Sequence, residues 1–295
     1  MESRYLRKLR EYAKEVAFCF RFAADPLSRT LLAANTLQFH IANALGIRYP
    51  SHAAKRYRVR SRNDHRELFL RTCGGDIYLF HEMFSTAYYE IPARLKREAR
   101  TIVDLGANIG LASRFFAEIF PNATLVCVEP NPPNIAILRK NVANLGGRVR
   151  IIEGAVSDHA GEAHFAGSFE CWRGHLNKNA SSDYVVRCYT MDDILTLGGI
   201  DRIDILKINI EGAEEQLFAE PATWICKVRM ILVELHGDYS IRRFEQDVNP
   251  YGFTVYAPNS KLGNQIVLAL PTGDEPVLSN SSPVEALNSF QEARL

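Results

Sequence analysis

Hydrophobic and polar positions along the chain predict a mostly parallel, doubly wound α/β sheet. Short apolar runs with the composition of buried strands alternate with segments whose apolar residues recur at helical spacing. The final two runs are short enough, and close enough in sequence, to close the sheet as a hairpin. The predicted strands are residues 101–104, 124–128, 148–152, 204–210, 228–235, 253–257 and 265–270. The pattern therefore predicts a Rossmann-like fold with seven strands.

A helical extension is predicted before this sheet. Residues 3–47 show helical periodicity, interrupted at Asp25 and Pro26 and stopped at Gly46. We expect these helices to form a cap or a dimerisation surface, so a homodimer is an expected partner. A basic run over residues 48–62 is typical of a solvated face, with an anionic substrate or lipid surface as the alternative. Residues 67–80, joined through Gly74 and Gly75, have the pattern of a hairpin.

These patterns give three expected regions. They are a helical N-terminal extension over residues 1–64, a cofactor-binding catalytic domain over 65–270, and a polar tail over 271–295.

A glycine-rich turn follows the first sheet strand and opens a helix. Gly106 and Gly110 would let backbone approach a ligand at the helix N-terminus. Asp104, two residues before the first glycine, would oppose a pyrophosphate but attract the ammonium and sulfonium of S-adenosylmethionine. Glu129, at the end of the next strand, stands where an acidic residue pairs with ribose hydroxyls. The combination favours an adenosyl cofactor without phosphate.

Polar side chains at two later strand ends are candidates for catalysis. Lys207, Asn209 and Glu211 share one face of a strand, and Glu234 and His236 share one face of the next. Buried parallel strands are normally apolar, so polar residues at their carboxyl ends are expected to line a ligand crevice. We expect His236 to act as a general base, oriented by Glu234 or Glu211, while Lys207 or Asn209 positions donor or acceptor. As an alternative, Glu211, Glu234 and His236 bind a divalent cation.

Composition argues against a membrane-spanning, a disulfide-rich or a zinc-binding protein. The chain has 295 residues and a formal net charge of +1, which gives no general attraction to nucleic acid or membrane. Six cysteines are scattered without the spacing of a zinc site or a disulfide framework, so we expect a reducing, cytoplasmic location. No apolar run approaches the roughly 18 residues that a membrane span needs, and the N-terminus lacks the apolar core of a signal peptide.

Taken in order, the motifs of this chain resemble those of the FkbM-type methyltransferase family. The matching segments are residues 76–80, 89–90, 103–110, 129–131, 155–158, 206–214 and 234–236. The resemblance implies a class I methyltransferase fold and transfer of a methyl group from S-adenosylmethionine to a hydroxyl oxygen of a sugar, polyketide or related metabolite. It also implies that residues 207–214 border both cofactor and acceptor. One departure is Asn209, where the family usually has Asp; an amide is a poorer metal ligand than a carboxylate.

The candidate site residues follow from the motifs and the resemblance together. The expected cofactor-binding residues are Tyr89, Asp104, Gly106, Ala107, Asn108, Gly110, Glu129, Pro130, Ala155 and Asn209. The expected catalytic residues are Lys207, Glu211, Glu234 and His236. Glu90 is a further polar candidate beside the cofactor, and an insertion containing Trp172, Arg173 and His175 is a candidate to hold the acceptor, with a surface hairpin as the alternative.

Two other classes of function remain open from the sequence. A NAD-dependent oxidoreductase would use the same fold, although Asp104 is poorly placed for a pyrophosphate. A non-catalytic scaffold that kept the fold would bind neither cofactor. A nucleic acid substrate is not expected, because the net charge is near zero and the basic run is short.

Overall fold

The computed structural model describes most of the chain. The described residues are 4–47, 53–61, 65–71, 75–85, 89, 91–167, 174–177, 184–219, 223–259 and 265–274. They fall into two compact units, one within Met1–Tyr88 and one within Tyr89–Ser279. The domain boundaries expected at residues 64 and 270 stay predictions.

The described residues of the first unit form three helices and a two-stranded antiparallel sheet. Asp25 caps the second helix, where its carboxylate accepts a hydrogen bond from the Ser28 backbone N–H at 2.9 Å, and Gly46 ends it in the left-handed conformation. The predicted break and stop of these helices are thus confirmed. The elements are α1 (Arg4–Phe22), α2 (Pro26–Leu45), β1 (Ala54–Arg60), β2 (His65–Arg71) and α3 (Asp76–Ser85).

The hairpin predicted over residues 67–80 is wrong. β2 pairs with β1 instead, and the chain enters α3 at Asp76. Ile77, Phe80 and Phe84 are buried at three- and four-residue spacing, which is the periodicity of a helix. The Asp76 carboxylate accepts hydrogen bonds from the Arg71 backbone N–H and guanidinium, and this buried ion pair holds the end of β2 against the start of α3.

The second unit is built on a seven-stranded sheet. Its strand order is β12-β13-β11-β10-β3-β4-β5, and the pairs from β11 to β5 are parallel. β13 runs antiparallel to β11 and β12, which confirms the predicted closing hairpin. These strands are β3 (Thr101–Leu105), β4 (Thr124–Glu129), β5 (Val149–Glu153), β10 (Ile205–Ile208), β11 (Ile231–Leu235), β12 (Phe253–Asn259) and β13 (Gln265–Pro271). The predicted Rossmann-like α/β fold is confirmed.

A smaller four-stranded sheet lies in the insertion between β5 and β10 along the chain. Its strands are β6 (Ala155–Val156), β7 (Gly161–Gly167), β8 (Gly174–Asn177) and β9 (Tyr184–Tyr189). The helices of the second unit are α4 (Ala93–Glu98), α5 (Leu111–Ile119), α6 (Pro132–Val142), α7 (Met191–Gly198), α8 (Glu214–Ala219) and α9 (Ile241–Val248). One apolar core joins the main sheet to its helices, with Val103, Leu206 and Val233 among its buried residues.

The topology brings the carboxyl ends of β3, β4, β10 and β11 to one edge of the sheet. This edge is where doubly wound sheets bind their ligands. In the part of the chain that the structure describes, no helix is both long and apolar enough to cross a membrane.

Candidate active site

The turn between β3 and α5 requires glycine at two positions. Gly106 has φ 71°, and a Cβ there would lie 1.8 Å from the carbonyl oxygen of Asn209. Gly110 has φ 84°, and a Cβ there would lie 2.6 Å from a methyl carbon of Leu138. The positive φ disfavours a side chain at both positions, and at Gly106 the backbone oxygen of Asn209 also leaves no room for one. The turn is consequently held against the end of β10 on one side and against α6 on the other.

The amides of this turn are already engaged within the protein. Gly106 and Ala107 both donate to the carbonyl oxygen of Val128, and Gly110 donates to Ala107. The Asn108 N–H donates to the Glu129 carboxylate, and the Ile109 N–H donates to the Asn108 side chain. A pyrophosphate would have to displace these bonds and approach Glu129 as well. The geometry of the turn thus disfavours a dinucleotide.

Glu129 is a buried acceptor at the end of β4. Its Oε1 accepts from the Asn131 backbone N–H at 3.0 Å and from the Asn134 side chain at 3.1 Å, and its Oε2 accepts from Asn108 at 2.8 Å. Burial raises the pKa of Glu129, while these N–H donors act in the opposite direction. Oε2 retains a second lone pair, because one hydrogen bond reaches it from the described residues.

Asn131 provides a second buried acceptor beside Glu129. Among the described residues nothing donates to its Oδ1, although that atom is shielded from solvent. Neighbouring buried acceptors of this kind are suited to the two hydroxyl groups of a ribose. The residues present therefore fit the adenosyl group that the sequence predicts.

Asp104 and Lys207 form a buried ion pair beneath the turn. The Lys207 Nζ lies 2.8 Å from Asp104 Oδ1 and also donates to the carbonyl oxygens of Gly106 at 2.8 Å and Leu105 at 3.2 Å. The Ser113 hydroxyl donates to Asp104 Oδ2 at 2.6 Å. The cation that lies against Asp104 in this structure is thus the protein's own lysine. The catalytic role of Lys207 stays a prediction, but its ion pair with Asp104 and its two hydrogen bonds to backbone carbonyl oxygens favour a structural role.

His236 lies immediately after β11 among three carboxylates. Its Nδ1 is 2.9 Å from Glu214 Oε1, and its Nε2 is 3.9 Å from both Glu211 Oε2 and Glu234 Oε1. The Asn209 side-chain amide donates to Glu234 Oε2 at 2.7 Å, which joins the end of β10 to β11. The structure therefore brings together Asn209, Glu211, Glu234 and His236, as the residue pattern predicted.

Glu214 is a site residue that the sequence analysis did not single out. It is fully buried at the start of α8, and its carboxylate also accepts from the backbone N–H groups of Ile210 at 3.0 Å and Gly212 at 2.9 Å. Glu211 has φ 53° and Gly212 has φ 103°, so the chain turns back sharply and brings Glu214 under His236. The glycine after Glu211 was the available sequence signal for this turn.

The three carboxylates control the ionisation of His236. Burial alone would lower the pKa of its imidazole, but the hydrogen bond and charge of Glu214, with the charges of Glu211 and Glu234, raise it overall. A carboxylate can only accept, so His236 Nδ1 carries the hydrogen of its bond to Glu214. In the neutral ring, Nε2 therefore has the free lone pair that a general base needs.

The remaining predicted residues lie around this edge or outside the described chain. Tyr89 is buried and stacks on Phe116, with ring centroids 5.6 Å apart. Ala107 and Ala155 are buried, and Pro130 is half-buried beside Glu129. Glu90, Trp172 and Arg173 lie outside the described residues. Within the described ranges, no group of His, Cys, Asp and Glu side chains is arranged to hold a metal ion, so the divalent-cation alternative finds no support there.

Comparisons with known proteins find similar sequences among methyltransferases. A family model described as the methyltransferase FkbM domain matches residues 104–252, which include the turn, Glu129 and His236. The 2-O-methyltransferase NoeI of Sinorhizobium fredii is 28% identical over 163 residues, covering 49% of this chain and 67% of NoeI. The 31-O-demethyl-FK506 methyltransferase FkbM of Streptomyces tacrolimicus is 26% identical over 220 residues, covering 63% and 84%.

Among solved structures, a methyltransferase FkbM from Methylobacillus flagellatus is similar to this chain with a TM-score of 0.45 and 13% identity. The similarity covers 90% of this chain and 59% of that one.

Proposed function

Since this chain belongs to the FkbM family of methyltransferases, we propose that it transfers a methyl group from S-adenosylmethionine to a hydroxyl oxygen of a sugar, polyketide or related small metabolite. Two relatives are named for methylation of an oxygen or of an O-demethyl substrate, which supports an oxygen acceptor. The observation that carries the proposal is the imidazole of His236, held through Nδ1 by Glu214 at the ligand edge of the sheet.

The adenosyl cofactor would be held at the ends of β3 and β4. Glu129 and Asn131 offer acceptors for the ribose hydroxyls, and Gly106 and Asn108 shape the turn beside them. The buried Ala155, which follows β5, would leave room for a flat base. The cofactor supplies an electrophilic methyl group on a sulfonium. Asp104 contributes through Lys207, which ties β3 to β10 beneath the turn.

His236 would remove the proton of the acceptor hydroxyl at Nε2. Glu214 keeps the ring in the required tautomer, and Glu211 and Glu234 stabilise the imidazolium that forms. A positioned base contributes on the order of 10² to 10⁴ in rate, whereas alignment of the reactants can supply on the order of 7 to 11 kcal/mol. The main task of the protein is therefore to align the acceptor, with the base adding a smaller share.

Charge supports a small-molecule acceptor over a nucleic acid. The residues from 89 onward contain twenty Lys and Arg against twenty-six Asp and Glu, and the cluster around His236 is itself acidic. Such a surface repels phosphate backbones. A cytoplasmic location and a homodimer stay predictions.

Two measurements test the proposed function. Isothermal calorimetry should show binding of S-adenosylmethionine and of S-adenosylhomocysteine and no binding of NAD. Mass spectrometry of the chain with S-adenosylmethionine and a panel of hydroxylated sugars and macrolides should then find a product heavier by one methylene. Binding of NAD alone would support the oxidoreductase alternative, and binding of neither cofactor would support a non-catalytic scaffold.

A further inference from the structure

The helices α1 and α2 of the first unit each expose an apolar stripe. On α1 the stripe contains Leu6, Leu9, Ala13, Ala17 and Phe20, which recur at three- and four-residue spacing. Leu9 is 61% exposed and Phe20 is 49% exposed. Residues at this spacing lie along one side of a helix. Scattered exposed apolar residues are ordinary in proteins, but a continuous line of them along a whole helix is not.

The second helix repeats the pattern. Its exposed stripe contains Leu27, Thr30, Ala34, Leu37, Ile41 and Ala44, again at three- and four-residue spacing. Leu27 is 67% exposed and Leu37 is 47% exposed. Leu45 and Ile47 extend this apolar surface at the end of the helix.

Both stripes face away from the core of the first unit. The opposite side of α1 packs on α3, where the rings of Phe18 and Phe22 contact Phe80. The opposite side of α2 also packs on α3, where Thr36 is hydrogen-bonded to His81 at 2.9 Å. The two helices thus form one layer over α3, and the two stripes share its outer side.

Positive charge accompanies this apolar surface. Arg10, Lys14 and Arg21 are exposed on α1 and follow one another along one side of its stripe, where Lys14 also pairs with the exposed Glu11. The first 88 residues of the chain contain fifteen Lys and Arg against eight Asp and Glu, while the rest of the chain is net acidic. On β1, Arg56, Arg58 and Arg60 point to the exposed face. The net charge of the whole chain is therefore near zero because a basic N-terminal part is offset by an acidic remainder.

We propose that the outer surface of α1 and α2, which we call the α1–α2 face, docks on an anionic phospholipid membrane without crossing it. Apolar side chains would enter the boundary between headgroups and acyl chains, and the basic side chains would meet the anionic headgroups. A second copy of the chain fits the charges less well. The segment Pro26–Leu45 has no Asp or Glu, so α2 of another copy offers no carboxylate to the basic side of α1. The carboxylates of α1, Glu11 and Glu15, already pair with Lys14 and His40 of their own chain.

The test uses the full chain and vesicles in a sedimentation assay. We expect the protein to sediment with phosphatidylcholine vesicles that contain phosphatidylglycerol, to bind pure phosphatidylcholine vesicles weakly, and to be released by high salt. Leu9→Gln and Leu37→Gln should each lower partition on the order of tenfold, because each removes one buried apolar side chain from the bilayer contact. Lys14→Gln combined with Arg21→Gln should lower binding to the anionic vesicles while leaving the weak binding to neutral vesicles unchanged.

Leu197→Gln is the matched control. Leu197 is 45% exposed, close to the 47% of Leu37, but it lies on α7 of the second unit, so its replacement should leave vesicle binding unchanged. Thermal melting checks that each variant is folded, and Ile41→Gln replaces any variant that is not. The proposal is overturned if the wild type does not bind the anionic vesicles at low salt, or if the stripe variants bind as well as Leu197→Gln. It is also overturned if light scattering shows a dimer that Leu37→Gln dissociates and no vesicle binding is seen, which would assign the face to a second copy.

Discussion

Replacing Lys207 by Met tests whether the main role of Asp104 is to form an ion pair with Lys207. Lys207 Nζ lies 2.8 Å from Asp104 Oδ1, and both side chains are almost completely buried. Met retains the apolar stem but removes the charge, so the carboxylate keeps only Ser113 Oγ among the described partners found for it. Removing one partner of a buried ion pair costs about 3–5 kcal/mol. We expect the free energy of unfolding to fall by that amount, which is a large share of the roughly 5–15 kcal/mol typical of a domain.

Urea denaturation measures this loss. The fluorescence of Trp224, buried in the core of the second unit, reports the transition in a Trp172→Phe background. The double variant Asp104→Asn with Lys207→Met is the internal control, because a neutral amide leaves no unpaired charge. It should be more stable than the sum of the single losses implies, by about 0.5–3 kcal/mol. If the stability lost in the double variant equals the sum of the losses in the two single variants, the pairing argument is refuted.

Cofactor binding separates two roles for Asp104. If Asp104 acts through Lys207, calorimetry should show that the double variant binds S-adenosylmethionine more tightly than Lys207→Met alone. If Asp104 instead meets a cationic group of the cofactor directly, Lys207→Met should bind as well as the wild type or better, while Asp104→Asn should lose binding. The second outcome would restore the direct role that the sequence suggested.

Four further predictions concern the base and the turn. His236→Ala should lower turnover on the order of 10² to 10⁴ with little change in cofactor affinity by calorimetry, whereas His159→Ala, an exposed histidine of the second unit, should be neutral. Turnover requires an unprotonated Nε2, so kcat should rise with pH through a pKa above the ordinary value near 6.5. Glu211→Gln removes one charge that raises the pKa of His236, so this rise should move to lower pH; an unmoved profile would contradict the cluster's role. Gly106→Ala should abolish cofactor binding, because its Cβ would lie 1.8 Å from the Asn209 oxygen. Gly252→Ala should cost only about 1–2 kcal/mol of stability, since Gly252 has a left-handed helical conformation (φ 79°, ψ 27°) and open space around the Cβ position; equal melting temperatures for the two variants would count against the crowding argument.

The sequence was informative where a pattern is local. Strand periodicity gave the order of elements in the second unit, and the shared parity of Asn209 with Glu211, and of Glu234 with His236, anticipated the cluster that the structure forms. Residues 76–80 were misassigned because a short apolar run fits a strand as well as a helix, and a buried partner, Arg71, decides between them.

Contacts that depend on tertiary geometry were missed. Lys207 lies level with Asp104 on the neighbouring strand, so their pairing follows from a strand register that one sequence does not reveal. Glu214 reaches His236 only because the chain reverses at Glu211 and Gly212 in left-handed conformations. The sequence pattern indicated Glu211 and Glu234 instead, because both lie nearer in sequence to the strand ends than Glu214 does.

The contact between Asn209 and Glu234 has a consequence for relatives with aspartate at this position. The Asn209 amide nitrogen is 2.7 Å from Glu234 Oε2. A carboxylate in its place would bring two like charges to that separation, and such a pair is stable only with a shared proton or a bound counter-ion. Here the amide supplies the hydrogen as part of the side chain. This chain therefore needs no proton or counter-ion from solution between these two side chains, whereas a relative with aspartate at this position would need one.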